Sequence, residues 1–474
     1  MGRHYDVVVI GAGPAGMSAA ALLAEMGTQV LVLDEQARAG GQIYRNIKDA
    51  GPERQGIYGG DYREGLAVAK HFYASGPAYE NKAVVWQVDP EGRICYSKDN
   101  QSTRIRANYI IAATGAMERP VPIPGWTLPG VMGAGAANNL SKDAGLTPSG
   151  RVVLAGSGPL LVLEAALLAK KGVSIAAILE TGPAHPPARA VPKLPKALLR
   201  WDFLQKGLFM LRDIKQSGAP HYKGVTGLKA LGSAQLSRVE AMAGDKSLGF
   251  DADLLLLHFG VIPNTHIFRH MGCHMEWDTL QQYWYPACDA WGRTNFERVF
   301  AAGDGSGVRG GPAARYKGQL AALEIARCLG MITRDERDSL AGPVQKALVH
   351  DGLPRPFVDA MYAPVPGALS FADDTVLCRC ENVTVGDVRK AVSEGVRDLN
   401  EIKIVTRSGM GPCQGRMCGP ALAAVVGAEL SLAPEKTGLL SVRPPLVPVP
   451  MAEVAAMDLG DEDASAGNWL LDKK

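Results

Sequence analysis

Charge of one sign, long apolar runs and an export signal are all missing from this 474-residue sequence, and each absence removes a class of function. Lys and Arg number 50 against 48 Asp and Glu, a formal net charge of +2, so the composition gives no electrostatic case for nucleic acid or an anionic membrane. No stretch approaches the ~18 uninterrupted apolar residues of a membrane span. The longest candidates, 160–169 and 254–262, carry Glu164 and His258 and read as a core helix and a core strand. Residues 1–6 are polar and lead straight into a strand, with no signal-peptide pattern, which sets a cytoplasmic location as the expectation. Residues 1–330 hold no Cys-x2-Cys or Cys-x4-Cys pair, and a disulfide framework is not expected of a cytosolic chain with eight cysteines.

What is present is a soluble-type composition, 47% hydrophobic and 21% charged, in a chain longer than one core usually holds. Asp6–Ile10 is an apolar strand, Gly11-Ala12-Gly13-Pro14-Ala15-Gly16 a glycine-rich turn, and the Ala/Leu-rich run to Met26 a helix. A second strand, Thr28–Leu33, ends at Asp34 and Glu35, completing a βαβ unit. The pattern repeats from Arg151, with a strand at 152–155, the turn Gly156-Ser157-Gly158-Pro159-Leu160-Leu161, a helix at 162–171 and a strand at 173–179 closed by Glu180. Pro and Gly cluster at 181–196 and 352–368, marking long connections. Residues 431–474 read as an extended tail that wraps another surface.

Gly11, Gly13 and Gly16 serve a tight turn, a close backbone approach to a pyrophosphate, and close helix–strand packing; Pro14 and Ala15 open the helix whose N-terminus receives the phosphates. Asp34, 18 residues after Gly16, with Glu35 beside it, supplies the acid expected at the ribose hydroxyls, which favours FAD or NAD over NADP. Three further segments resemble the two-dinucleotide-binding-domain flavoproteins related to disulfide reductases. They are Gly40-Gly41-Gln42, Ile110-Ile111-Ala112-Ala113-Thr114-Gly115, and Phe300-Ala301-Ala302-Gly303-Asp304-Gly305. The resemblance spans residues 5–330. It implies bound FAD, with Asp304 at the ribityl chain and a helix around 312–329 aimed at the flavin.

In the repeat, Leu161 replaces the third glycine, while Glu180 keeps the acid. The sequence leaves open whether this unit binds NAD or is a retained fold without a nucleotide. Cys95, Cys273, Cys288 and Cys328 are scattered and read as small buried hydrophobes, which argues against a disulfide reductase. His258, His266, His270 and His274 read as solvated or satisfied histidines with no assigned chemistry.

The other four cysteines, Cys378, Cys380, Cys413 and Cys418, are spaced Cys-x-Cys-x32-Cys-x4-Cys. Four thiolates suit tetrahedral zinc or an iron–sulfur cluster. The spacing resembles the 2Fe–2S domain named after bacterioferritin-associated ferredoxin, which implies a 2Fe–2S cluster. Arg379, Arg407 and Arg416 are candidates to offset its charge, each also readable as a solvated surface arginine.

With the phrases Asp34-Glu35-Gln36…Gly40-Gly41-Gln42-Ile43-Tyr44-Arg45 and Glu118–Trp126, the combination resembles the alpha-type subunits of heteromeric amino-acid and opine dehydrogenases, the group of opine oxidase, hydrogen cyanide synthase and hydroxyproline dehydrogenase. The expected fold class is α/β: two Rossmann-like domains plus a small α-rich 2Fe–2S domain. The expected boundaries are 1–120 with 250–335 for FAD, 121–249 for the NAD-like unit, 370–430 for the cluster and 431–474 for the tail. The resemblance implies a beta subunit of the glycine/D-amino-acid oxidase type, allows a small third subunit, permits membrane association through the complex, and sends electrons toward a respiratory acceptor. Two alternatives stand beside it, an NAD(P)H-dependent FAD reductase feeding the cluster and a scaffold subunit with a zinc knuckle.

Overall fold

The computed structural model describes residues 3–183, 185, 187–364 and 371–457. Parts of both Pro/Gly connections and the acidic end of the expected tail, 458–474, lie outside the described residues.

Val7–Ile10 and Val30–Leu33 are continuous apolar runs because each is buried on both faces of a parallel sheet. The first sheet runs in the order Ala78–Asn81, Val30–Asp34, Arg3–Ile10, Gln101–Ala112, Arg93–Lys98, Val84–Val88. The late strand Val299–Ala301 joins parallel to the C-terminal end of Gln101–Ala112. The helices Pro14–Glu25 and Gly311–Cys328 lie together over this sheet, and a Cβ on Gly318 would overlap the Ala15 carbonyl.

The second sheet is wholly parallel, in the order His221–Lys223, Ile175–Glu180, Val152–Gly156, Leu254–His258, Val131–Gly133. A three-stranded antiparallel sheet, Val225–Gly232, Leu236–Ala243 and Lys246–Asp251, covers it. The chain returns to the first domain later than residue 250, because Leu254–His258 pairs between Val152–Gly156 and Val131–Gly133. The crossing is the antiparallel pair Ala116–Glu118 and Val261–Pro263.

The third unit begins with the short strands Val376–Cys378 and Val383–Thr384. Three helices follow: Val385–Ser393, opened by a Thr384/Asp387 capping box; Leu399–Thr406, capped by Asp398; and Gly419–Glu429. Its core runs on into that of the second domain. Leu377, Val388, Ile402, Leu422 and Leu440 join one cluster with Ile123, Trp126, Val225 and Leu236 of the second domain. Trp126 Nε1 also donates to the Val376 carbonyl at 2.6 Å. Beyond residue 431 the chain crosses to the first domain, where Leu446 N–H donates to Trp86 O at 2.7 Å and Met457 packs on Trp86 and Cys95.

Candidate functional site

The first glycine turn is closed from three sides. Gly11 N–H donates to Leu33 O (2.8 Å), Gly40 N–H to Ala12 O (2.8 Å), and Ala12 N–H to the Asp34 carboxylate. Asp34 takes a second bond from Gln36 N–H at 2.6 Å and is 6% exposed. Burial raises its pKa, opposed by those two N–H groups. Asp34 is thus the clamp of the turn, and Glu35 is the exposed acid at this edge. A Cβ on Gly16 would overlap the Gly11 carbonyl oxygen and meet Val9 Cγ1 at 3.2 Å, so helix and strand touch there. Over Gly13 the nearest protein atom to such a Cβ is Gly41 Cα at 3.8 Å, which leaves the helix start open. Gly13 caps the helix with no side-chain hydrogen bond, the arrangement that receives a phosphate.

The remaining motif residues converge on the same side. Gly41 faces Gly13 across the turn, where a Cβ would stand 2.9 Å from Gly13 Cα. Gln42 Oε1 accepts from Asn139 Nδ2 of the second domain. Thr114 Oγ1 donates to Asn264 O at 3.0 Å, and Asn264 N–H to Gly115 O at 3.0 Å, so the two crossing segments are tied at the strand end. A Cβ on Gly303 would be 2.8 Å from Ala15 Cβ. Asp304 Oδ1 accepts from Arg309 N–H (2.8 Å) and Gly310 N–H (2.9 Å), shaping the turn before Gly311–Cys328, a second long helix with no side-chain cap. Two uncapped helix starts, an open backbone at Gly13 and an acid on either side fit a dinucleotide carrying a flavin.

The second turn is different. The His258 ring lies over Gly158, where a Cβ would be 3.0 Å from His258 Nε2. His258 is 2% exposed, and its Nδ1 bonds Glu118 Oε1 at 2.8 Å. Glu118 in turn sits against Gly133 and Gly135 at the start of the helix Ala134–Ala144, where the helix dipole favours an anion. Leu161 is fully buried in the core beneath that helix. Glu180, the acid at the ribose position, is paired with His221. The His258 ring beside the second glycine, a leucine at the third and the Glu180–His221 pair set this turn apart from the first. Replacing Glu118 with alanine should leave buried His258 without its partner and cost about 1–3 kcal/mol, measured as a lowered midpoint of unfolding.

His258 and His266 carry roles that sequence reasoning missed. His266, His270 and His258 are buried, and only His274 of the four is exposed. His266 Nε2 donates to the Gln414 carbonyl at 3.0 Å, joining the first domain to the cysteine loop. Burial, then Arg269 and Arg416, pull its pKa down to about 3, so the ring is neutral. Arg269 donates to Leu440 O, and Arg416 to Cys413 O (3.3 Å) and Leu446 O (3.1 Å). Arg416 is therefore half-buried and structural, whereas Arg379 and Arg407 are exposed, Arg407 pairing with Glu381 at 2.8 Å.

The four cysteines converge at this loop in two pairs, Cys378 with Cys418 and Cys380 with Cys413. The Cys418 thiol and the backbone N–H groups of Gly409, Glu381 and Cys380 aim at the Cys378 sulfur and lower its pKa to about 5, against the effect of burial. Cys418, facing that thiolate and fully buried, is pushed up. A Cβ on Gly411 would overlap Cys380, and the Ser408 hydroxyl beside Gly409 is buried without a hydrogen-bond partner among the described residues. Among the described residues no three His, Cys, Asp or Glu side chains are placed to hold a single metal ion. Two cysteine pairs with an N–H-stabilised thiolate form a donor set that a four-cysteine, two-iron centre would use. Cys95 and Cys273 are buried, with thiols raised to about 12 and about 11, and neither forms a redox pair.

A sheet ending on a glycine fingerprint, with crossing strands and a late Gly-Asp turn, defines an FAD-dependent oxidoreductase. A family described as pyridine nucleotide-disulphide oxidoreductase matches residues 5–322, and one described as sarcosine oxidase A3 domain matches 374–458. The A-type subunit of opine oxidase from Rhizobium meliloti (strain 1021) is 37% identical over 95% of this chain and 98% of its own length. The hydrogen cyanide synthase component HcnB of Pseudomonas protegens is 33% identical over 87% of this chain and 89% of its own. The crystal structure of L-proline dehydrogenase from P. horikoshii shares the fold, with a TM-score of 0.69 at 19% identity, covering 96% of this chain and 80% of that one. The chain belongs to the pyridine nucleotide-disulphide oxidoreductase family, in the group that includes this opine oxidase component and HcnB.

Proposed function

We propose that this chain is the electron-transfer subunit of a heteromeric dehydrogenase that oxidises an amino acid, imino acid or opine. Gly11, Gly13, Pro14, Ala15, Gly16, Asp34, Glu35, Gly41, Gln42, Thr114, Gly115, Gly303 and Asp304 would hold FAD, with Asp34 also bracing the turn. Cys378, Cys380, Cys413 and Cys418 would hold a 2Fe–2S cluster, which supplies one-electron redox chemistry when bound. The carrying observation is the His266–Gln414 hydrogen bond, which docks the paired cysteines on the segment that follows Asn264. The subunit name of the opine oxidase relative supports a heteromeric complex, in which a beta subunit of the glycine/D-amino-acid oxidase type with its own flavin would be the site of C–N oxidation. The acceptor on the far side would be respiratory.

The reading makes an expected result. The purified chain alone oxidises no amino acid or opine with a dye acceptor, and turnover starts when the partner subunit is added. Robust turnover by the single chain would overturn it. The rival reading, an NAD(P)H-dependent reductase, requires a nucleotide over Gly158, where His258 stands. Mixing the anaerobic flavoprotein with NADH or NADPH should therefore leave the flavin absorbance unchanged; rapid stoichiometric bleaching would restore the rival.

A further inference from the structure

The near-zero net charge conceals one strongly uneven segment. Between the strands Ile175–Glu180 and His221–Lys223 the second domain carries a helical insertion, with short helical turns over 188–198 and the helix Trp201–Gln216. Residues 189–215 hold seven basic side chains against two acidic, a local excess of five positive charges in a chain whose total is +2. The same segment holds nine of the twenty large apolar side chains exposed among the described residues.

The helix is apolar on two opposite sides. Leu204, Gly207 and Met210 are half-buried and Ile214 is buried, and this side packs on the helix Pro159–Lys170. On the other side Trp201, Gln205, Leu208, Phe209 and Arg212 follow one another at one-turn spacing and all are exposed. Trp201 is 51%, Leu208 55% and Phe209 56% exposed, and Leu199 just before them 68%. A helix needs only one apolar face to anchor it on its domain, so the second is directed at something else. Basic groups stand around that face. Lys196, Arg212 and Lys215 form no ion pair among the described residues, whereas Lys206 ties the helix to Asp61 of the first domain at 2.5 Å.

We infer that this insertion docks the protein directly on an anionic lipid surface. Trp, Phe and Leu ringed by Lys and Arg is the composition of a helix lying in a membrane interface. A protein partner fits less well, because protein interfaces deplete lysine, and the insertion that bears this face carries Lys196 and Lys215 with no ion pair among the described residues. The surface is separate from the flavin turn and the cysteine loop, so the inference stands or falls independently of the proposed electron path.

The full flavin-loaded chain should co-sediment with vesicles of phosphatidylglycerol mixed into phosphatidylcholine, release at high salt, and stay in solution with phosphatidylcholine alone. Lys196→Glu with Lys215→Glu should weaken that binding by at least roughly 30-fold, taking about 1 kcal/mol for each lysine near the surface. Leu208→Ser with Phe209→Ser should abolish it while flavin content and melting temperature stay unchanged. No sedimentation with the phosphatidylglycerol vesicles, or sedimentation of both double variants equal to that of the parent protein, overturns the inference. So does a result in which Leu208→Ser with Phe209→Ser leaves vesicle binding intact but breaks association with the partner subunit or with a second copy of this chain.

Discussion

Gly16→Val should yield a chain that purifies without flavin. The Cβ alone would overlap the Gly11 carbonyl oxygen, and the valine methyls add to the contact with Val9. Backbone cannot yield as the tip of a long side chain can, so the helix Pro14–Glu25 must lift from the sheet. That shift moves Gly13 away from Gly41 and strains the Asp34–Ala12 clamp, which together frame the open helix start. Overpacking of this kind costs about 1–3 kcal/mol in stability. The effect on the cofactor is larger, since every phosphate-facing N–H of that turn moves with the helix. The flavin-to-protein ratio, read from the absorbance of the purified protein, should fall to background. Gly56→Ala, on an exposed helix with nothing near its Cβ, should keep full flavin. A flavin-replete Gly16→Val protein would show that the turn does not hold the cofactor.

The second large effect falls on iron. Each of Cys378→Ser, Cys380→Ser, Cys413→Ser and Cys418→Ser removes a thiolate from one of the two pairs, and soft sulfur ligands are what such a centre selects. Iron and acid-labile sulfide should drop to background in all four variants, with flavin content retained, because the glycine turn and the cysteine loop are built from different segments. Electron delivery from the complete complex to a one-electron acceptor should fall with the iron. Full iron in all four variants, or zinc in its place in the parent protein, would remove the cluster from the scheme and return the scaffold alternative.

The parts of this protein that are legible in its sequence are the local ones. Gly16 announces the turn because a Cβ there would overlap the Gly11 carbonyl five residues away, and Gly13 beside it leaves the helix start open. The Cys-x-Cys and Cys-x4-Cys spacings likewise report two tight turns. What stays hidden depends on segments far apart in the chain. His258 reads as an ordinary strand-end histidine until Leu254–His258 is placed beside Val152–Gly156, which sets the ring over Gly158. The same pairing explains why the return crossing falls at 261 and not at 250: an apolar strand shows that it is buried but not in which sheet. His266 is illegible for a related reason, since its partner is a backbone carbonyl at Gln414, and a carbonyl leaves no mark in sequence. Asp34 and Glu35 are adjacent acids, and only burial separates the clamp from the exposed carboxylate.

The core shared by Leu377, Val388, Ile402 and Leu422 with Ile123, Trp126 and Val225 bears on how such a chain can change over time. A domain with a sealed interior can be lost, swapped or moved between genes. Here the interior of the cysteine unit runs on into that of the second dinucleotide fold, so deleting that fold would expose the apolar side of its neighbour to water. Selection can therefore preserve a dinucleotide-type fold for its packing alone, because one side of it closes the interior of another piece of the same polypeptide.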